Sequence, residues 1–195
     1  MLNKESLINI INKLYDQSKI SHDEFNAADG KIGDGDLGIT ILHGLREIHK
    51  NIESFTDDMG ENFMFCSKAF VKKSGSSFGT LIAFSLMNIS KEMKNKNTLN
   101  HEEIKKIFKI SLQTIIERGK TKLGDKTIAD TLDLIIQKIE DNENYTGQIK
   151  LATKEALENF KGKKILIGRA RMFEEKTKDL NDPGMFALNK LAESF

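Results

Sequence analysis

The chain has 195 residues, of which 38% are hydrophobic, and its 30 Lys and Arg nearly balance its 29 Asp and Glu. This length fits one domain over residues 1–195, and the net charge of +1 argues against a nucleic-acid partner. The lone Cys66 excludes a disulfide framework, and neither a signal pattern nor an apolar run of about 18 residues is present. We therefore expect a cytoplasmic protein with no membrane partner.

Apolar residues recur at helical spacing along almost the whole chain, and the chain contains a single proline. Both features predict an all-α fold. Taken in chain order, the apolar stripes of the predicted helices start at Leu7, Ile41, Met59, Phe78, Ile104, Leu132 and Ile149.

Helix-start signals add further boundaries. Ser21 with Glu24 has a capping-box pattern, which predicts a separate short second helix, and Asn100 with Glu103 has the same pattern. Asp182 followed by proline predicts the start of a last helix. The segment 164–167 is expected to be an extended connector or a helix fragment.

The segment from Asp29 to Gly38 holds three carboxylates and four glycines within ten residues. Like charges this close repel, so a folded chain keeps them around a cation or in a solvated turn. Oxygen ligands without nearby His or Cys suit Mg²⁺ or Ca²⁺. Counting from Asp34 puts Leu45 where an EF-hand needs glutamate. A Mg²⁺–nucleotide site and an Asp/Gly surface turn remain as alternatives.

Small residues from Ser74 to Thr80 precede an apolar helical stripe. Such a helix start exposes main-chain N–H groups and favours an anion, although an ordinary Ser/Gly helix start has the same composition. Arg169 could bind phosphates through its planar guanidinium, or it could be a surface residue.

Four groups of residues follow one another in a characteristic order: Asp29 with Gly33-Asp34-Gly35-Asp36-Leu37-Gly38; Ser74-Gly75-Ser76-Ser77-Phe78-Gly79; Arg118-Gly119-Lys120 with Gly124-Asp125-Lys126-Thr127; and Gly168-Arg169-Ala170 with Asp182-Pro183-Gly184. Together they resemble the signatures of the nucleotide-binding L subunit (DhaL) family of dihydroxyacetone kinase, over nearly the whole chain.

The resemblance implies a barrel of eight antiparallel amphipathic helices with the site in the inter-helix turns at one end. Asp29, Asp34 and Asp36 would hold two Mg²⁺ ions that bridge the phosphates of ADP or ATP. The nucleotide itself would be contacted by Leu37, Gly38, Ile39, Thr40, Lys73, Ser74, Gly119, Ile128, Arg169, Asp182 and Gly184. Within this set, Gly119 and Ile128 would line the adenine pocket.

The resemblance also implies partners. An L subunit transfers the γ-phosphoryl group to a small keto-sugar held by a separate K subunit. In some systems a phosphotransferase-system subunit recharges the bound ADP, and in others ATP exchanges. No catalytic side chain is expected in this chain, because positioned metals and cations carry phosphoryl transfer.

Some residues depart from the family pattern. Leu37 replaces the usual histidine, and Lys72 and Lys73 stand where small residues are usual. We hypothesise that Lys73 supplies the missing charge to the phosphates. A nucleotide-sensing module that binds a regulator, and a divergent paralogue acting on another triose or polyol, are alternative functions. A fatty-acid kinase nucleotide domain ranks lower, since its first signature contains a proline.

Overall fold

A computed structural model describes residues 1–73, 75–140 and 142–195, without the side chains of Lys73 and Glu174. Helices dominate the described residues. The α-helices are α1 (Lys4–Asp29), α2 (Leu37–Lys50), α3 (Met59–Lys73), α4 (Ser77–Glu92), α5 (His101–Gly119), α6 (Ile128–Ile139), α7 (Tyr145–Asn159) and α8 (Pro183–Ala192). Short 3₁₀ helices span Ile52–Ser54 and Arg169–Asp179.

The helices form a closed ring. Each helix packs against the next one in the chain, and α8 packs back against α1. Consecutive helices that pack together across connections are antiparallel neighbours. The expected barrel of eight antiparallel helices is therefore confirmed for the described part of the chain.

The connections between helices lie at the two ends of the barrel. Because the helices alternate in direction, the turns α1–α2, α3–α4, α5–α6 and α7–α8 all lie at one end of the barrel. At the opposite end, the two-residue strands β1 (Leu2–Asn3) and β2 (Thr98–Leu99) pair antiparallel, with Leu2 opposite Leu99.

The core lies inside the ring. Its main cluster joins residues of α1 to α5 and α8, and a second cluster joins α5, α6 and α7. Cys66 belongs to the main cluster, and its burial raises the pKa of the thiol to about 12. A third, small cluster contains Ile32, Ile165 and Ala170, and it lies beside the first and last of the four turns.

One predicted boundary is wrong. Ser21 does not start a second helix, because α1 runs unbroken from Lys4 to Asp29. The Ser21 side chain is buried and accepts a hydrogen bond from Gln17 Nε2 at 2.8 Å, so it does not cap a helix. No Gly or Pro interrupts this stretch to end the helix.

The other boundary predictions agree with the structure. Asn100 and Glu103 form a reciprocal capping box at α5, and Asp182 caps α8 with Pro183 in the first turn. Residues 164–167 form a connector that is neither helix nor strand, so the helix-fragment alternative is wrong. None of the described helices is long and apolar enough to cross a membrane.

Candidate functional site

The turn between α1 and α2 contains the three carboxylates, and we call residues 29–36 the carboxylate loop. One oxygen each from Asp29, Asp34 and Asp36 comes within 4.8 Å of the others. Asp29 organises the turn, since its Oδ2 accepts hydrogen bonds from the amides of Gly35 (2.8 Å) and Asp36 (3.1 Å). The three predicted metal ligands are therefore brought together, with the Asp29 carboxylate held in place by the main chain.

Two glycines make this turn possible. A Cβ at Gly33 would lie 2.3 Å from Asp29 Oδ1, so only glycine lets the carboxylate lie against the chain. Gly35 has a φ of +75°, a conformation that side chains disfavour. The close approach of chain and carboxylate fits a cradle for a small cation.

The charges of the loop are only partly balanced. The pKa of Asp36 is raised, first by desolvation and then by the nearby Asp34 and Asp29. Arg169 acts in the opposite direction on that pKa, and its Nη1 lies 2.7 Å from Asp34 Oδ2. One guanidinium thus faces three carboxylates. The carboxylate oxygens form an all-oxygen ligand set of the kind that Mg²⁺ prefers.

The start of α2 is held by Asn26. Its Oδ1 accepts hydrogen bonds from the amides of Gly38 (2.7 Å) and Ile39 (3.2 Å). The Thr40 hydroxyl donates to Ser76 Oγ at 2.8 Å and links α2 to the turn before α4. The resemblance implies that Gly38, Ile39 and Thr40 contact phosphates. In the structure their two amides and the hydroxyl already bond within the chain, and these residues do not line the cleft described next.

A cleft of about 770 Å³ opens beside the carboxylates, at the end of the barrel where the four turns meet. Its volume is typical of a small-molecule pocket. Polar groups of the turns line it together with the apolar residues Phe78, Leu81, Phe84, Ile115 and Ile128. The cleft can thus accept a cation beside the carboxylates, an anionic group bound to that cation, and an apolar group.

Most of the remaining predicted residues line this cleft, namely Asp29, Asp34, Asp36, Leu37, Gly119, Ile128, Arg169, Asp182 and Gly184. Leu37 is buried and also belongs to the main core. Ser74 and the side chain of Lys73 lie outside the described residues, so the hypothesis about Lys73 stays a prediction.

Asp182 lies at the N-terminus of α8. Its Oδ1 accepts a hydrogen bond from the amide of Met185 at 2.9 Å. Desolvation raises the pKa of this carboxyl to about 6, although the amides of Met185 and Gly184 and the charge of Lys126 oppose the rise. A Cβ on Gly184 would come within 3.1 Å of the Phe78 ring, so the turn packs closely on the apolar side.

Several cleft residues were not predicted from the sequence. Arg118 is one, and its guanidinium carbon lies 4.0 Å from the centre of the Phe84 ring. The others include Phe78, Leu81, Phe84, Thr127, Ile165 and Ile167. Phe78, Arg118 and Thr127 stand within the signature segments, but nothing in the sequence assigns them to a cleft. The others look like ordinary core or turn residues in the sequence, and only the closure of the barrel brings them together.

Known proteins resemble this chain along its length. The family model described as "DAK2 domain" matches residues 31–195. The ADP-binding subunit DhaL of PEP-dependent dihydroxyacetone kinase 1 from Listeria innocua is 31% identical over 163 residues, which cover 82% of this chain and 78% of the relative. The corresponding subunit from Escherichia coli is 22% identical, with 98% of this chain and 97% of the relative covered.

The fold has a solved counterpart. The crystal structure of the dihydroxyacetone kinase from C. freundii in complex with AMP-PNP and Mg²⁺ superimposes with a TM-score of 0.75 at 18% identity. The superposition covers 96% of this chain and 32% of that kinase, so this chain spans about a third of its length. The family match over most of the sequence and the likeness to the Listeria subunit lead to one conclusion: the chain belongs to the DAK2-domain family, the family of the DhaL subunits of dihydroxyacetone kinases.

Proposed function

We propose that this chain, as one domain over residues 1–195, is the nucleotide- and Mg²⁺-binding subunit of a dihydroxyacetone-type kinase. It would hold the nucleotide whose γ-phosphoryl group passes to a small keto-sugar on a separate K-type subunit. The observation that carries the proposal is the convergence of the Asp29, Asp34 and Asp36 oxygens within 4.8 Å at the edge of the cleft.

The carboxylates fit the metal side of a nucleotide site. Asp29 is fixed by two amides, whereas the Asp34 side chain is 53% exposed and can turn towards an ion. Asp29, Asp34 and Asp36 would hold two Mg²⁺ ions, whose charge would stabilise the negative phosphates. The Arg169 guanidinium lies within reach of the same place and would add a positive charge over the phosphates.

The rest of the cleft fits the nucleoside. Phe78, Leu81 and Phe84 offer apolar surface for a purine, and Gly119 with Ile128 lines the same wall. Asp182 and Gly184 border the cleft beside them. The chain would therefore orient the nucleotide and shield it from water, while the K-type subunit would supply the groups that activate the acceptor hydroxyl.

Two phosphoryl donors fit this proposal. The relatives from Listeria innocua and Escherichia coli are named as ADP-binding subunits of PEP-dependent kinases. A phosphotransferase-system subunit that recharges bound ADP is thus the first candidate for a second partner, and free ATP is the other source.

Native mass spectrometry of the purified protein, with and without EDTA, tests the metal and nucleotide together. We expect bound ADP that leaves when EDTA removes the metal. Asp34→Asn should abolish Mg²⁺-dependent nucleotide binding and leave the helical circular dichroism unchanged. Asp57→Asn, an exposed carboxylate far from the cleft (81% exposed side chain), is the matched control and should bind like the parent. No nucleotide binding by the parent at millimolar Mg²⁺ would contradict the proposal.

One observation favours a second function, a nucleotide sensor that binds a regulatory partner without transferring phosphate. Leu37 stands beside the carboxylates and is only 4% exposed, and its side chain offers no hydrogen bond to a phosphate. The two functions differ in one assay. Phosphoryl transfer to dihydroxyacetone, or to another triose or polyol, in the presence of a K-type subunit supports the kinase, and nucleotide binding without transfer supports the sensor.

A further inference from the structure

Lys126 is a buried lysine that the proposed function does not use. It lies in the turn between α5 and α6, is 2% exposed, and has a left-handed φ of 62°. Lysine is seldom buried this completely unless its ammonium group has partners. Its contacts therefore identify what the side chain does.

The Lys126 ammonium group joins the two ends of one loop. It donates hydrogen bonds to the main-chain carbonyl of Lys163 at 2.8 Å and to that of Thr177 at 3.1 Å. We call residues 163–177 the Arg169 loop, because Arg169 lies within it. Both anchor points are main-chain atoms, so the lysine restrains the path of the chain and not one side chain.

Three further bonds surround the same place. The Ile165 amide donates to Thr177 Oγ1 at 3.0 Å, and the Gly162 amide donates to the Lys178 carbonyl at 3.2 Å. The Leu166 amide donates to the carbonyl of Asp125, the residue before Lys126, at 3.1 Å. Lys126 thus sits at the centre of a small network that closes the base of the Arg169 loop.

The loop held in this way reaches the carboxylates. Ile165 and Ala170 pack against Ile32, which lies in the carboxylate loop between Asp29 and Asp34. Arg169 pairs with Asp34 at 2.7 Å. A change at the base of the loop would therefore move the guanidinium relative to the metal ligands.

The surrounding charges favour a charged ammonium group at this place. The pKa of Lys126 is lowered on balance by burial, and the carboxylates of Asp182 and Asp179 offset only part of that shift. A charged donor makes stronger hydrogen bonds to carbonyl oxygens than a neutral donor makes. The two bonds to the loop are thus the kind whose loss has a measurable effect.

We propose that Lys126 is a positioning residue, which fixes the base of the Arg169 loop and so holds Arg169 over the cleft and slows the release of a bound nucleotide. The part that concerns release rests on the proposed function. The part that concerns the loop does not, since it follows from contacts within the chain.

Amide hydrogen exchange of the full chain without nucleotide tests the loop. Lys126→Met removes the ammonium group and keeps an unbranched side chain only one atom shorter, and Lys122→Met changes an exposed lysine of the same turn as the control. We expect the amides of Gly162, Ile165 and Leu166 to exchange at least about tenfold faster in Lys126→Met only. The variant loses the hydrogen bonds of the charged ammonium group, so the base of the loop opens more often. Exchange in α1 to α4 should not change.

Release of a fluorescent ADP analogue in the presence of Mg²⁺ tests the second part. Dissociation from Lys126→Met should be about tenfold faster than from the parent or from Lys122→Met. If Lys126→Met does not fold, Lys126→Gln, which removes the charge and keeps a neutral N–H donor group, takes its place in both experiments.

The outcomes separate the two proposals. Unchanged exchange in the Arg169 loop, or exchange that rises equally throughout the chain, overturns the positioning role of Lys126. Faster local exchange with unchanged release of the analogue overturns its effect on the nucleotide. A parent protein that binds no nucleotide, with faster local exchange in Lys126→Met, overturns the proposed function and leaves the loop role standing.

Discussion

Gly38 lies where α2 approaches α1 too closely to leave room for a Cβ, so we expect Gly38→Ala to separate the two helices. A Cβ there would lie 1.9 Å from the main-chain oxygen of His22 and 2.8 Å from Asn26 Oδ1. Ordinary contact begins at 3.4 Å, so the oxygen and the new methyl group must move apart by about 1.5 Å (3.4 minus 1.9). Both atoms belong to helices, and neither can turn away alone.

The cost follows from what this shift breaks. Overpacking of this kind costs about 1–3 kcal/mol. The two amide bonds to Asn26, from Gly38 and Ile39, contribute about 0.5–1.5 kcal/mol each. Alanine regains up to about 1 kcal/mol as the better helix former. We therefore expect Gly38→Ala to lower the free energy of unfolding by about 3 kcal/mol.

Urea unfolding followed by circular dichroism measures this difference. Gly75→Ala is the matched control, because a Cβ there meets nothing within 4 Å, and it should change the free energy of unfolding by less than about 0.5 kcal/mol. A loss below about 1 kcal/mol for Gly38→Ala, or equal losses for the two variants, would refute the reasoning from close approach.

Two further predictions concern pH and the far end of the barrel. The pKa of Asp182 is about 6 in the fold and near its ordinary 3.8 in the unfolded chain, so the folded state binds the proton more tightly. The parent should lose up to about 3 kcal/mol of stability as pH rises from 4 to 6, whereas Asp182→Asn, which keeps a capping side chain, should lack this loss in urea titrations at each pH. Asn62→Ala should lower the free energy of unfolding by about 2 kcal/mol, since the 1% exposed Asn62 side chain bonds both main-chain groups of Thr56. The exposed Asn97→Ala is its control, and equal losses in these two variants would contradict the assignment.

The sequence predicted the helices well because the apolar spacing and the capping residues are local signals. Asn100 and Asp182 cap helices as their neighbours indicate. Ser21 misled because its pattern is the same as that of a cap, whereas it lies in the middle of α1 with its side chain buried. The burial of such a side chain depends on the packed barrel, so no pattern in the neighbouring sequence indicates it.

The candidate site divides in the same way. Asp29, Asp34 and Asp36 are close in the chain, so their convergence could be predicted. Asn26 could not, because its bonds to the start of α2 depend on the turn that the loop makes. The network around Lys126 spans about fifty residues, and only the folded chain joins its parts.

The burial of Cys66 has a practical consequence for fluorescence labelling of the Arg169 loop. With a thiol pKa of about 12, only on the order of one molecule in 30,000 carries the reactive thiolate at pH 7.5, and packing in the main core shields the sulfur as well. It is also the only cysteine in the sequence. A cysteine introduced at Met172, which is 70% exposed in the Arg169 loop, would therefore accept a maleimide probe selectively. A Met172→Cys variant can thus report movement of the Arg169 loop by fluorescence without prior removal of Cys66.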